Sequence, residues 1–593
     1  FDESGRIIGE RLFVGLLTSV AYSRSPREIP LLRRKVETCL KRAGFDPGSH
    51  DGKALQHILE TYPRDELLQV SDAELFEIAM GVLHLQERQR IALFVRRDPF
   101  ERFVSCMVYI PRDRYTTELR QRIQAILERA WQGQVTAFYT HMTDAPLGRL
   151  HVIVATTPGA IPDVELVELE ERLVEAGRSW TDRLQDALLD ALGEAKGLSA
   201  HRRYKDAFSS TYRERFSAHA AVFDIGRLEA ALRSGTIEMN LYRPAEAAGH
   251  ELRLKLYNTG DEIPLSDVLP MLEHMGLKVI GELPHTVTPE GCDRPLWIHD
   301  FGMVTPDGSE VDLSLIRELF HEAFARVWSG EMEDDGFNRL VLRAGLSWRE
   351  ITVLRACCKY LRQAGIPFSQ AYMEQTLAGN APIARLLVKL FRIRFDPADR
   401  HDVEARSAAV VAEIEAALES VANLDEDRIL RRYLNLILAT LRTNFFQGAG
   451  EGKAKPYLSL KLDSRRIDEL PAPRPWVEIF VYSPRVEAIH LRGGKVARGG
   501  IRWSDRREDF RTEILGLLKA QMVKNAVIVP VGSKGGFVVK RLPSAGGREA
   551  LMAEVVECYK TMMRGMLDLT DNAVGIGEVA PPKDVVRLDD DDP

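Results

Sequence analysis

Three basic side chains near the end of the sequence, Arg498, Lys524 and Lys534, have the types and spacing to converge on one small anion. Arg498 lies in Leu491-Arg-Gly-Gly-Lys-Val-Ala-Arg-Gly-Gly-Ile-Arg-Trp-Ser-Asp505, Lys524 on a helical run, and Lys534 in Val531-Gly-Ser-Lys-Gly-Gly536. Arg498 or Arg502 would grip a carboxylate through two parallel hydrogen bonds, and Lys524 would act as a point charge on a second. Gly499-Gly500 and Gly535-Gly536 remove side chains beside these cations, so backbone can approach a ligand closely. Lys534 reads as sitting on a turn between two apolar strands, a rigid mount that would bury its amine and suit it to acid/base work. The plainer reading of the same spacing is glycine-rich turns carrying solvent-facing basic residues.

Two nearby glycine patterns imitate nucleotide sites. Gly532-Ser-Lys534-Gly-Gly has the flavour of a phosphate loop, but G-x-x-x-x-G-K-[ST] is absent and a strand follows where a helix is needed. Gly575-Ile-Gly577-Glu-Val-Ala580 has the glycine spacing of a dinucleotide fingerprint, yet Pro581-Pro582 follow and no strong strand precedes it. Neither is read as a nucleotide site.

The elements that must position the cations form an α/β pattern. Val477, Ile479 and Val481 alternate on one strand, Val486 to Leu491 make a second, and Asp505-x-x-Glu508 signals a helix start. Phe510, Ile514, Leu517 and Leu518 then form an apolar stripe, Ala526 to Pro530 and Phe537 to Val539 read as short buried strands, and Leu551, Val555, Tyr559, Met562 and Met566 as one helix face. Upstream, 331–452 reads as a helical region ended by the Gly448 to Gly452 linker. Ser347-x-x-Glu350 caps a helix there that buries Ile351, Leu354, Cys358 and Leu361.

Two stretches, 91–196 and 236–330, share the order β-α-β-β-α and resemble ACT-type modules, which often regulate amino-acid enzymes. In the first, Val104, Cys106, Val108 and Ile110 alternate, a helix follows, strands are expected at 134–140 and 149–155, and one long helix at 163–192. In the second, Leu252, Leu254 and Leu256 alternate, and a helix ends at Gly276. A helical connector, 197–235, joins them. Residues 1–90 read as an N-terminal α/β segment, with an apolar run at 12–17, a helix from Pro30 to Gly44, and a capping box at Ser71 and Glu74. Residues 453–593 form the last domain.

At 593 residues several domains are required. A formal net charge of −7 argues against a nucleic-acid protein that binds through bulk positive charge. The six cysteines lack C-x-x-C spacing and suit free thiols of a reducing, cytoplasmic compartment. No histidine pattern suggests a metal, and no apolar run is long enough to span a membrane. The chain opens on Phe1 and stops in an acidic run ending at Pro593, and both ends read as cuts through a longer polypeptide.

The stretch from Trp476 to Lys540, with VYSPRVEAIHLRGGKVARGGIRWSDRREDFRTEILGLLKAQMVKNAVIVPVGSKGGFVVK, resembles the large NAD-dependent glutamate dehydrogenases of bacteria. The likeness continues upstream through FERFVSCMVYIPRDRY at 100–115 and GERLFVGLLTS at 9–19. It implies oxidative deamination of L-glutamate to 2-oxoglutarate and ammonia with NAD as cofactor, in a homo-oligomer open to amino-acid effectors. It also implies roles. Lys534 matches the catalytic lysine, Lys524 the lysine that holds the α-carboxylate, and Arg498-Gly499-Gly500-Ile-Arg502 the element that receives the distal carboxylate. The small glutamate dehydrogenases carry lysine at the first of those positions, so which oxygen Arg498 meets is open. The catalytic carboxylate and the NAD-binding domain are expected beyond Pro593, the run Asp589 to Asp592 is expected to be a solvated loop, and the chain alone is expected neither to bind NAD nor to turn over. Two competing readings stand beside this one: an amino-acid-binding regulator without catalysis, and a phosphate- or nucleotide-binding protein using the 532–536 turn.

Overall fold

The computed structural model describes residues 4, 6, 9, 15–85, 90–450, 453–468, 470–524, 531–575 and 578–592, with the side chains of 523 and 524 outside that set. Most of the expected apolar run at 12–17, and the expected strand from Ala526 to Pro530, fall outside the described residues. The chain divides into two units, 1–201 with 217–219 and 202–216 with 220–593.

In the first unit the described residues 15–85 are helical, with no strand among them, in place of the expected α/β mix. Pro30–Ala43 starts on proline and stops at Gly44, whose φ of 69° is the left-handed conformation that ends a helix. The Ser71 and Glu74 side chains each accept from the other's backbone N–H, at 3.1 and 3.2 Å. A four-stranded antiparallel sheet follows, built from β1 (Ala92–Arg97), β2 (Phe103–Pro111), β3 (Gln134–His141) and β4 (Leu147–Ala155) in the order β1-β2-β4-β3. Alternation along β2 sends Val104, Cys106, Val108 and Ile110 into a core with the helices Thr117–Trp131 and Leu166–Ala176, and Met107 and Tyr109 into the helical cluster.

Two expectations for this module change. β1 precedes the first strand expected, so the order is β-β-α-β-β-α; it ends in two charged residues, Arg96, which is buried against Glu66, and Arg97, so apolar alternation does not mark it. The helix expected over 163–192 is two helices, Leu166–Ala176 and Trp180–Leu192. Ser179 and Asp182 form a capping box that restarts the helix after Gly177, a signal present in the sequence.

The second unit opens its sheet structure with a counterpart of that module. β5 (Glu238–Tyr242), β6 (Glu251–Thr259), β7 (Lys278–Val287) and β8 (Leu296–Val304) pair in the order β5-β6-β8-β7, with helices Leu265–His274 and Leu313–Trp328. Here too an extra leading strand, β5, was too short to declare itself by alternation. Helices from Trp348 to Ala439 follow, and Ser347 and Glu350 cap the first of them.

The last sheet is six-stranded. Its members are β9 (Thr440–Thr443), β10 (Leu458–Leu462), β11 (Val477–Tyr482), β12 (Val486–Arg492), β13 (Ile501–Trp503) and β14 (Ser533–Val539), in the order β13-β14-β12-β11-β10-β9. Only β13 and β14 run parallel. One face packs on the helices Trp348–Gln363 and Phe510–Lys524, in a core continuous with the helical region, and the other on Gly547–Leu567. β9 lies before the glycine-rich linker, so this sheet begins upstream of residue 453.

Candidate functional site

The site is built on β14. Lys534 lies within this strand rather than on a turn. The glycines around it read as a turn in sequence, but they serve close packing. A Cβ on Gly535 would stand 2.9 Å from Met562 Cε, and one on Gly536 would stand 2.4 Å from Ile514 Cδ1. Helices thus press on both faces of the strand, where a larger residue would push them off. Lys534 shares the face of Gly536, below the helix Phe510–Lys524, and pairs in register with Leu491 of β12. It is half-buried, and no described residue pairs with its ammonium.

Residues 498–503 run alongside β14. The Arg498 N–H donates to the Val531 carbonyl at 3.2 Å, the Arg498 carbonyl accepts from Ser533 N at 3.0 Å, and the Gly500 carbonyl from Gly535 N at 3.0 Å. Arg498 bridges to Gly532, two residues before Lys534, so the two backbones are about 7 Å apart along the strand direction. The Arg498 side chain is exposed and free of any described partner.

Gly499 and Gly500 were expected to open space for a ligand. Gly499 instead lies against β14, where a Cβ would come 1.6 Å from the Ser533 carbonyl oxygen. Gly500 has no described atom within 4 Å of where a Cβ would stand. Arg502 is already engaged, its Nε 3.0 Å from Glu513 Oε1, and Ser504 Oγ donates to the other oxygen of Glu513 at 2.5 Å. Arg502 is more than half exposed in this pair, so the link to the helix Phe510–Lys524 is a weak one, and Arg498 has no described partner. Lys524 ends that helix; its side chain is outside the described set.

Buried carboxylates hold this frame, and the sequence reading missed them. Glu478 on β11 is fully buried and accepts from Tyr360 Oη at 2.9 Å, Ser464 Oγ at 3.0 Å and Arg511 Nε at 2.9 Å. It ties the helices Trp348–Gln363 and Phe510–Lys524 to the sheet. Glu333 binds Lys540, at the end of β14, and lies 3.5 Å from Lys359. Burial opposes ionisation of Glu333, but Lys540, Lys359 and Arg355 outweigh it and hold its carboxyl down at about 2. On β12, burial with Arg492 adding to it lowers the His490 imidazole to about 4, so that ring is neutral.

The run Asp589 to Asp592 is only half solvated: Asp590 and Asp591 are exposed, as expected, but Asp589 and Asp592 turn inward. Asp589 reaches Arg442 Nε at 2.5 Å and Lys461 Nζ at 2.6 Å; Asp592, 4% exposed, takes Lys461 at 2.6 Å and Arg492 at 2.8 Å. Asp571 completes the group with Arg442 at 2.9 Å. Cations buried on adjacent strands need counter-charges, and these aspartates supply them. The clue was Lys461 itself, a charge inside the apolar strand Leu458–Leu462. Gly575, at the edge of the second imitated nucleotide motif, lies in a two-stranded hairpin, Asn572–Gly575 with Glu578–Ala580; residues 576 and 577 are outside the described set.

Six family models match the chain in order. They are glutamate dehydrogenase helical motif 1 at residues 29–88, ACT2 domain at 92–181, helical motif 2 at 187–231, ACT3 domain at 236–316 and helical motif 3 at 332–397, then bacterial NAD-glutamate dehydrogenase, catalytic domain, at 413–593. Among curated relatives, the NAD-specific glutamate dehydrogenase of Halomonas elongata is 47% identical over 596 residues, covering 100% of this chain and 36% of that protein. The Pseudomonas aeruginosa enzyme of the same name is 46% identical over 595 residues, covering 100% of this chain and 37% of its own length. That of Mycobacterium tuberculosis is 42% identical over 615 residues, covering 98% and 37%. The chain spans little more than a third of the length of the curated relatives it matches. With helical motifs, ACT domains and the catalytic-domain match falling in one order along its whole length, the chain belongs to the bacterial NAD-glutamate dehydrogenase family.

Proposed function

We propose that this chain carries the substrate-gripping side of an NAD-dependent glutamate dehydrogenase, which converts L-glutamate to 2-oxoglutarate and ammonia. The observation that carries this reading is Lys534, a half-buried ammonium with no partner among the described residues, on a strand clamped between helices, with Arg498, likewise without a described partner, alongside.

In this reading Lys534 donates to the 2-oxo oxygen and stabilises charge as ammonia adds to form the carbinolamine. Arg498 and Lys524 hold the two carboxylates, so the reacting carbon meets a fixed cation without reorganisation. Arg502 pairs with Glu513 but is more than half exposed, and it stays with Arg498 in the element proposed to receive the distal carboxylate. NAD accepts the hydride in such a reaction. No residue of this chain is assigned to NAD in this proposal. ACT-type modules as amino-acid effector sites belong to the same proposal, supported by the ACT2 and ACT3 domain matches, and so do a homo-oligomeric state and a cytoplasmic location.

The test is L-glutamate-driven NAD reduction by a protein that carries this chain at the length of its relatives, beside its Lys534→Ala variant. Activity in the first and its loss by at least about 100-fold in the second, with the fold intact, is expected. Activity in neither would leave the basic cluster a carboxylate-binding site without chemistry.

A further inference from the structure

None of residues 493–498 is buried, so the loop that presents Arg498 keeps its place through hydrogen bonds rather than packed side chains. At its two ends the Gly493 N–H donates to the Gly532 carbonyl at 3.1 Å and the Arg498 N–H to the Val531 carbonyl at 3.2 Å. Gln521 Nε2 adds a bond to the Arg498 carbonyl at 2.5 Å. Between those ends the tether among the described residues is Arg492, whose Nη2 donates to the Lys495 carbonyl at 2.5 Å.

Arg492 holds the loop only while its own guanidinium is fixed. Its side chain, the last of β12, is 14% exposed. Nη1 donates to both carboxylate oxygens of Asp592, at 2.9 and 2.8 Å, and Cζ stands 5.1 Å over the Trp476 ring. Asp592 is immobilised in turn. Lys461 pairs with its carboxylate at 2.6 Å, its backbone N–H donates to Asp571 Oδ2 at 2.7 Å, and its carbonyl accepts from the Asp571 N–H at 3.0 Å. Asp589 shares Lys461, at 2.6 Å, and also meets Arg442. Among the described residues, Asp592 is the one of the two that reaches Arg492.

We infer that Asp592 is a positioning residue for glutamate: through Arg492 it holds Lys495, and with it the loop that presents Arg498 to a substrate carboxylate. The inference rests on the reading of Arg498 as a substrate-binding residue. Without the Asp592 charge the guanidinium loses the anion that orients it, and the Lys495 carbonyl exchanges a charged donor for water. Arg498 then samples more positions, and binding must first order it. Lys534 stays in place, because β14 is paired on both sides, by β12 and β13.

The test is steady-state kinetics of L-glutamate-driven NAD reduction by a protein that carries this chain at the length of its relatives, beside Asp592→Asn and Asp589→Asn. Asp592→Asn should raise the glutamate KM about 10-fold, the worth of one charge-assisted hydrogen bond, and leave kcat within about twofold. Asp589→Asn also weakens the pairing of Lys461 and should lower the melting midpoint, yet leave KM at the parent's value. An unchanged KM in Asp592→Asn, an equal rise in Asp589→Asn, or a fall in kcat alone overturns the inference. Should Asp592→Asn fail to fold, Arg492→Lys decides: it keeps a charge for Asp592 and loses the fork that also reaches Lys495. The same rise in KM is expected there, and a parent-like KM overturns the role. Hydrogen exchange separates the tether from the substrate reading beneath it. The Arg498 amide should exchange about 10-fold faster in Asp592→Asn than in the parent or Asp589→Asn, whether or not glutamate turns over. That difference in a parent without turnover would overturn the substrate reading of Arg498, and equal exchange overturns the tether.

Discussion

Adjacent glycines at 499 and 500 should respond in opposite ways to the same methyl group. In Gly499→Ala the new carbon would meet the Ser533 carbonyl oxygen at 1.6 Å and its carbon at 2.5 Å, where ordinary contact starts at 3.4 Å. Both obstacles are backbone, so no side chain can rotate away, and residues 498–500 must retreat by roughly 1.8 Å. A retreat of that size breaks the three hydrogen bonds that tie this segment to β14, those of Arg498, Ser533 and Gly535 N–H. At about 1 kcal/mol net for each, the segment loses about 3 kcal/mol, or roughly 150-fold in its opening equilibrium. In Gly500→Ala the methyl meets no described atom within 4 Å and nothing breaks. Hydrogen exchange read by mass spectrometry on peptides spanning 531–540 measures this directly. Exchange at Ser533 and Gly535 should quicken by about two orders of magnitude in Gly499→Ala and stay unchanged in Gly500→Ala. Glutamate affinity should fall in Gly499→Ala as well, because Arg498 moves with the segment. Equal exchange in the two variants would refute the packing argument, and with it the assignment of Gly499 to the strand rather than to a ligand.

Two further outcomes follow from the buried charges. Glu478→Leu strands Arg511 and Tyr360 without their acceptor, and should cost about 3–5 kcal/mol, seen as a lowered melting midpoint; an unchanged melt would mean the cluster adds nothing. Glu333, held at about 2, contributes stability that is whole above its unfolded value near 4.5 and drains as pH falls towards 2. Stability curves of the chain and of Glu333→Gln should therefore converge as pH falls from 4.5 to 2, and parallel curves over that window would count against the ion group.

Much of the fold was legible because apolar spacing and caps are local signals. The strand of Val104 to Ile110, the helix stop at Gly44 and the capping boxes at Ser71 and Ser347 each needed only a handful of neighbouring residues. Local signals also misled. Gly535 and Gly536 read as a turn because glycine is commonest there, whereas here the packing of Met562 and Ile514 excludes a side chain. β1 and β5 were overlooked because short strands with charged residues carry little alternation. Asp589 and Asp592 read as solvated because their partners, Arg442, Lys461 and Arg492, lie 100 to 147 positions earlier in sequence.

The sequence by itself determined the residue types available for chemistry near residues 498 to 540, and the helix, strand and cap pattern that frames them. Tertiary structure alone decided which cations are spent and which are free. Arg502 pairs with Glu513, Lys461 with Asp589 and Asp592, and Lys540 with Glu333, while Arg498 and Lys534 keep no described partner. Composition cannot make that distinction, because whether a charge is paired depends on distances of a few ångströms between residues far apart in the chain, and burial multiplies what those distances are worth.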